Sequence, residues 1–339
     1  MTKMWTIIAA VSSFGISALF GIWLVPFLKK LHFQQTEREE GIDLHKGKAG
    51  TPMMGGFMFI LSSVLSGVGC VALYNALGGA PETPLLCAKV YAGIFMALAF
   101  GAIGFIDDYI KAIRKRNLGL TAVQKLVLQF LVAIAYLATI YFFSGTTRTF
   151  IPFVGMVEVG LLYYPLAAIF IVGIVNAVNL TDGIDGLNGS VTCFGAMFFM
   201  LMAPFIERTG VSIMSAAVAG GCLGFLVWNF HPAKVFMGDT GSLYLGGYMC
   251  AIAFALDMPI LLILVGLVYI IEMFSVILQV TYFKLTHGKR LFKMSPIHHH
   301  FEMCGWSEVK IVAVFSAVTA VMGILTFLSV IYTYTSMAG

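Results

Sequence analysis

Five carboxylates sit where apolar runs end, in three short clusters: Gly104-Phe-Ile-Asp-Asp-Tyr109, Asn176-Ala-Val-Asn-Leu-Thr-Asp-Gly-Ile-Asp-Gly-Leu187 and Phe236-Met-Gly-Asp-Thr-Gly-Ser242. The chain has only 16 Asp and Glu among 339 residues. Concentrating five of them in this way points to one site for a metal ion and a phosphorylated substrate at a membrane surface, and hence to an enzyme. Asp107 and Asp108, adjacent on a helix, point in different directions. One can therefore reach a metal or phosphate while the other takes a proton or positions a partner. The plainer alternative is a solvated helix end leading into the basic anchor Lys111 to Arg116. In the second cluster Asn176, Asn179, Thr181, Asp182, Asp185 and Asn188 bring more side-chain oxygens together than a turn between two spans requires. Asp239 lies among small residues that let backbone approach a ligand closely.

A fourth element is Pro296-Ile-His-His-His-Phe-Glu302, beside Lys289, Arg290 and Lys293. Three consecutive histidines cannot easily face one metal, so phosphate contacts or proton transfer by one or two of them fit better than zinc. A histidine run with no role is the alternative. The stretch Lys46-Gly-Lys-Ala-Gly-Thr-Pro-Met-Met-Gly-Gly56 joins lysines to flexible backbone and suits phosphate. It is not a Walker motif, because the spacing fails and no Ser or Thr follows the lysine.

The elements that position these residues are membrane helices. With 60% hydrophobic and 11% charged residues, the chain is expected to be an all-α, polytopic integral membrane protein, one domain over 1–339. A crossing helix needs roughly 20 apolar residues to span about 30 Å of hydrocarbon. Ten such spans are expected near residues 5–28, 52–76, 90–107, 123–143, 161–178, 190–206, 212–230, 241–256, 259–284 and 309–335, the eighth short and with indistinct edges. The alternating strands of an outer-membrane barrel are absent from the sequence pattern.

If the first span runs outward to inward, the inner loops and span ends hold 16 of the 20 Lys and Arg residues. The outer side keeps Lys3, Lys89, Arg148 and Arg208, a strong positive-inside asymmetry. Ten spans then leave both termini outside and put every acidic cluster on the cytoplasmic face. The net charge of +4 reflects topology, and no nucleic acid partner is expected. The apolar run after Lys3 is too long for a signal peptide and ends in Pro26, Lys29 and Lys30, so it reads as a retained first span. Of the six cysteines only Cys87 falls in an outer loop, which leaves no disulfide framework.

Together, Phe105-Ile-Asp-Asp-Tyr109, the Asn176–Leu187 segment, Val235-Phe-Met-Gly-Asp239 and Pro296-Ile-His-His-His300 resemble the phospho-N-acetylmuramoyl-pentapeptide transferases. These belong to the polyprenyl-phosphate N-acetylhexosamine-1-phosphate transferases. The likeness runs in order from Lys48 to about Trp306. It implies ten helices, a cytoplasmic active site in the bacterial inner membrane, and Mg²⁺. It also implies transfer of phospho-MurNAc-pentapeptide from UDP-MurNAc-pentapeptide to undecaprenyl phosphate, giving lipid I and UMP.

By that resemblance Asp239 is the leading metal ligand. Asp107 accepts the lipid phosphate proton or positions that nucleophile and lies beside the metal, and Asp108 supports metal or diphosphate. Asn176, Asn179, Asp182 and Asp185 line the nucleotide side, Phe236 is available to stack on uracil, and Lys48 lies near the nucleotide phosphates or base. His298 acts on phosphate with His299 and His300 assisting, and Gln279 matches a pocket position. Met53 departs from the family's usual Thr-Pro-Thr-Met-Gly-Gly and removes a hydroxyl there. A homodimer is one assembly open to such a chain. The alternatives are a GlcNAc-phosphate transferase of the same logic, for which the histidine region differs, and a transporter, for which Glu272 is the main acid well inside a span.

Overall fold

A computed structural model describes residues 2–31, 50–79, 83–114 and 118–338. The expected all-helical architecture is present: α1 (Thr2–Lys30), α2 (Phe57–Ala76), α3 (Pro84–Arg114), α4 (Ala122–Ser144), α5 (Tyr163–Thr181), α6 (Leu187–Met202), α7 (Thr209–Asn229), α8 (Gly238–Ala255), α9 (Leu261–Val265), α10 (Leu267–Leu285), α11 (Ile297–Glu302) and α12 (Glu308–Ala338). Among the described residues nine helices are long and apolar enough to cross a membrane. The exception among the ten expected spans is α8, which carries Gly, Ser, Thr and Tyr along its length. Every α8 residue except Asp239 is buried, so α8 is wrapped by other helices rather than by lipid. Its wall includes α3, where the small residues Gly93, Gly101 and Gly104 meet Ala251, Tyr244 and the Asp239 backbone.

Two features depart from the sequence expectation. The ninth span breaks at Gly266 into α9 and α10; a side chain at Gly266 would lie 2.5 Å from the Leu262 carbonyl. A short antiparallel hairpin also precedes α5, with β1 (Arg148–Ile151) paired to β2 (Gly155–Glu158) in the register Arg148 to Glu158. Its open end is held by the exposed Arg148–Glu158 ion pair at 2.8 Å, a cross-strand contact that charge patterning alone did not indicate.

Candidate active site

The site is built where α3 crosses the start of α8. Gly104 on α3 allows this: a Cβ there would lie 2.1 Å from the carbonyl oxygen of Asp239. The chain leading into α8 is pinned from the other side by backbone hydrogen bonds. Phe236 N–H donates to Pro52 O (2.9 Å), Gly55 N–H to Phe236 O (2.8 Å) and Gly56 N–H to Met237 O (3.1 Å). Gly238 then turns the backbone with φ +72°, a left-handed conformation natural to glycine, and a side chain there would also strike the Asp108 carboxylate.

A helix start leaves amide donors without partners. Here Asp108 supplies the cap from a different helix. Its carboxylate accepts from Asp239 N–H (3.2 Å), Thr240 N–H (2.9 Å) and Thr240 Oγ1 (2.7 Å). The arrangement ties α3 to α8 and places carboxylate acceptors at the amide-rich start of α8.

Asp107, one residue earlier, takes different partners. Its Oδ1 accepts from Leu120 N–H at 2.7 Å, fixing the loop before α4, and its Oδ2 meets Lys111 Nζ at 2.6 Å. Thr121 and Gln124 form a reciprocal capping box that starts α4 and delivers Lys125 to the same place. Lys111 and Lys125 converge on Asp239 Oδ2 at 3.0 and 2.8 Å, and Asn179 Nδ2 donates to Asp239 Oδ1 at 2.9 Å and to Ser242 Oγ at 2.7 Å. Burial acts to raise the Asp239 carboxyl, but Lys125 and Lys111 outweigh it and hold the group well below the usual carboxylate range.

Carboxylate oxygens of Asp107, Asp108 and Asp239 lie within 4.8 Å of one another. Hard oxygen donors grouped this closely fit a divalent cation such as Mg²⁺. The two lysines already show that the group accepts positive charge.

Asp182 caps the end of α5 beside this group. Its surface is partly reached by solvent, but its carboxyl lies deep among protein atoms. That burial first, and then the charges of Asp239, Asp108 and Asp185, push it well above the ordinary range.

Asp185 is held in a second cluster with His231 and Glu308. Its Oδ2 accepts from Ala233 N–H at 2.9 Å and lies 3.1 Å from His231 Nδ1, while its own N–H donates to Glu308 at 2.9 Å. These contacts join the α5–α6 turn, the loop after α7 and the start of α12. Asn176 pairs with the buried Gln129 of α4 through both amides, at 2.7 and 3.4 Å. Half-buried Phe236 flanks the pinned loop.

The three histidines have three different partners. His298 Nδ1 lies 3.1 Å from Glu272, His299 Nδ1 lies 2.6 Å from Glu302, and His300 Nδ1 accepts from Lys293 N–H at 3.2 Å. Gln279 on α10 holds the preceding loop, accepting from Leu291 N–H (3.0 Å) and Phe292 N–H (2.9 Å) and donating to Phe292 O (3.2 Å). Lys48 falls outside the described residues. Sequence reasoning missed Lys111 and Lys125 as site members, because both were counted as inside-loop anchors. The available signal was Lys111 lying one helical turn after Asp107.

Comparison with known proteins matches residues 90–257 to glycosyl transferase family 4, the stretch from α3 through α8. A phospho-N-acetylmuramoyl-pentapeptide-transferase of Clostridium perfringens (strain SM101 / Type A) is 43% identical over 95% of this chain and 96% of its own length. Proteins of the same name from Bacillus subtilis (strain 168) and Acetivibrio thermocellus are each 45% identical, covering 92% and 93% of this chain and 94% and 92% of their own lengths. Identity at this level, spanning all four motif regions, shows that the chain belongs to the phospho-N-acetylmuramoyl-pentapeptide-transferase family.

Proposed function

We propose that the protein transfers phospho-MurNAc-pentapeptide from UDP-MurNAc-pentapeptide to undecaprenyl phosphate at the cytoplasmic face of the bacterial inner membrane, forming lipid I and UMP. The observation that carries this reading is the grouping of Asp107, Asp108 and Asp239 with Lys111 and Lys125 at the one part-exposed residue of α8. Asp239 would be the principal Mg²⁺ ligand, with Asp107 and Asp108 beside it. Bound there, the cation supplies charge neutralisation for a diphosphate.

The chain's own residues do the rest. Lys111 and Lys125 neutralise Asp239; with a divalent cation held by the carboxylates, both ammonium groups would be free to meet donor phosphate oxygens. Asp107 takes the proton of the lipid phosphate or fixes its orientation. The lipid phosphate oxygen attacks the sugar-bearing phosphorus in line, the bond between the two phosphates breaks, and UMP leaves. Asn179, Asp182 and Asp185 border the nucleotide side with Phe236 against the uracil. Gln279 sets the basic loop, and His298 acts on the donor phosphates from its place against the Asp182–Gly183 turn, where Gly183 has no side chain to displace the ring. The sixteen basic residues on one side favour a cytoplasmic site.

Purified protein with Mg²⁺ and undecaprenyl phosphate should release UMP from UDP-MurNAc-pentapeptide, and far more slowly from UDP-GlcNAc. The uridine diphosphate is common to both donors, so discrimination must come from the lactyl-peptide arm, for which the loop from Lys289 to Glu302 is the candidate reader. Faster turnover of UDP-GlcNAc would transfer the assignment to the sister enzymes. Release from neither donor would end the transferase reading.

A further inference from the structure

Glu272 and His298 are both fully buried, and neither belongs to the carboxylate groups described above. Glu272 lies inside α10 and His298 in the first turn of α11. Glu272 Oε1 and His298 Nδ1 are 3.1 Å apart. That is within hydrogen-bond reach, yet neither carboxylate oxygen and neither ring nitrogen makes an aligned hydrogen bond with any described residue. A carboxylate inside a membrane helix bundle is costly unless it has a partner, and such residues face partners that serve function.

The far edge of the imidazole identifies what the pair serves. A Cβ at Gly183 would lie 2.1 Å from His298 Nε2, so that nitrogen rests directly on the backbone of the Asp182-Gly-Ile-Asp185 turn. Carboxylate and turn thus lie against the two ring nitrogens of one imidazole.

We propose that Glu272 is the positioning residue of His298: it accepts a hydrogen bond from Nδ1–H, fixes the ring, and thereby sets Nε2 at the Asp182–Gly183 turn. The inference rests on the reading that His298 works on the donor phosphates. A carboxylate that orients an imidazole through Nδ1 is a general device of both metal sites and general-base sites. The incomplete alignment fits such a role, because hydrogen bonds of this kind tighten when substrate is bound.

The test is a double-mutant cycle on the full-length protein in detergent, with kcat and donor KM measured separately. Glu272→Gln should lower kcat roughly 10- to 100-fold, with donor KM changed by no more than about threefold, as removal of a supporting partner does. His298→Asn should lower kcat at least as much. In the His298→Asn background, Glu272→Gln should change kcat by less than about twofold, because its effect runs through the ring.

Multiplying effects in the double variant would overturn the proposal, as would an unaltered kcat in Glu272→Gln beside an impaired His298→Asn. If His298→Asn kept full activity, the assigned role of His298 would fall first, and the positioning role with it. Should Glu272→Gln fail to fold, Glu272→Met carries the same cycle, since apolar replacement of a buried charge is often tolerated.

Discussion

Asp239→Asn should lower turnover on the order of a thousandfold, equivalent to about 4 kcal/mol of transition-state stabilisation, while a folded protein is still recovered. The side chain is only 19% exposed and receives two ammonium groups and one amide, so it is the carboxylate on which both lysines converge. Asparagine keeps the shape and the oxygen facing Asn179. It removes the charge that would hold a divalent cation, and it leaves Lys111 and Lys125 with one fewer anion between them. Steady-state UMP release and a thermal melt on the same preparation check both halves. Turnover within tenfold of the starting protein would remove Asp239 from the centre of the site.

A second large effect is expected from a residue with no side chain. Gly104→Ala places a methyl group 2.1 Å from the Asp239 carbonyl oxygen and 2.3 Å from its carbonyl carbon. Both are backbone atoms of α8 that cannot swing aside. The helices must separate, carrying Asp107 and Asp108 away from Asp239. A misplacement of about 1 Å in a reacting group costs on the order of a hundredfold in rate, so activity should fall at least that far. Overpacking of this kind also destabilises by roughly 1–3 kcal/mol. Gly69→Ala on α2 is the control, because a Cβ there meets nothing within 4 Å; it should leave the rate unchanged and the melting temperature no lower. Equal behaviour of the two variants would show that the α3–α8 crossing does not set the site.

What could be read from the sequence followed the physics that sequence displays directly. Apolar runs located the helices, and the acids at their ends located the candidate site. Lys111 and Lys125 are basic residues at helix ends, which topology alone explains; only the i,i+4 spacing of Lys111 from Asp107 set it apart from Arg114, and nothing local marked Lys125. Helix α8 looked short because its polar and small residues dilute its apolar character; they are affordable only because other helices enclose it. The break at Gly266 was hidden in an otherwise continuous apolar run. Pairings between distant elements could not be read at all. Asp108 capping α8, Asp185 tying the α5–α6 turn to α12, and Glu272 meeting His298 are each set by how the helices pack.

Asp107, Asp108 and Asp239, rather than the Asp185, His231 and Glu308 cluster, are expected to hold the cation. Mn²⁺ is the direct probe, read by electron paramagnetic resonance on the purified protein without substrate. Binding of Mn²⁺ by the unmodified chain, competed by Mg²⁺, should be lost in Asp239→Asn and retained in Asp185→Asn. Retention in Asp239→Asn together with loss in Asp185→Asn would instead place the cation at Asp185, His231 and Glu308.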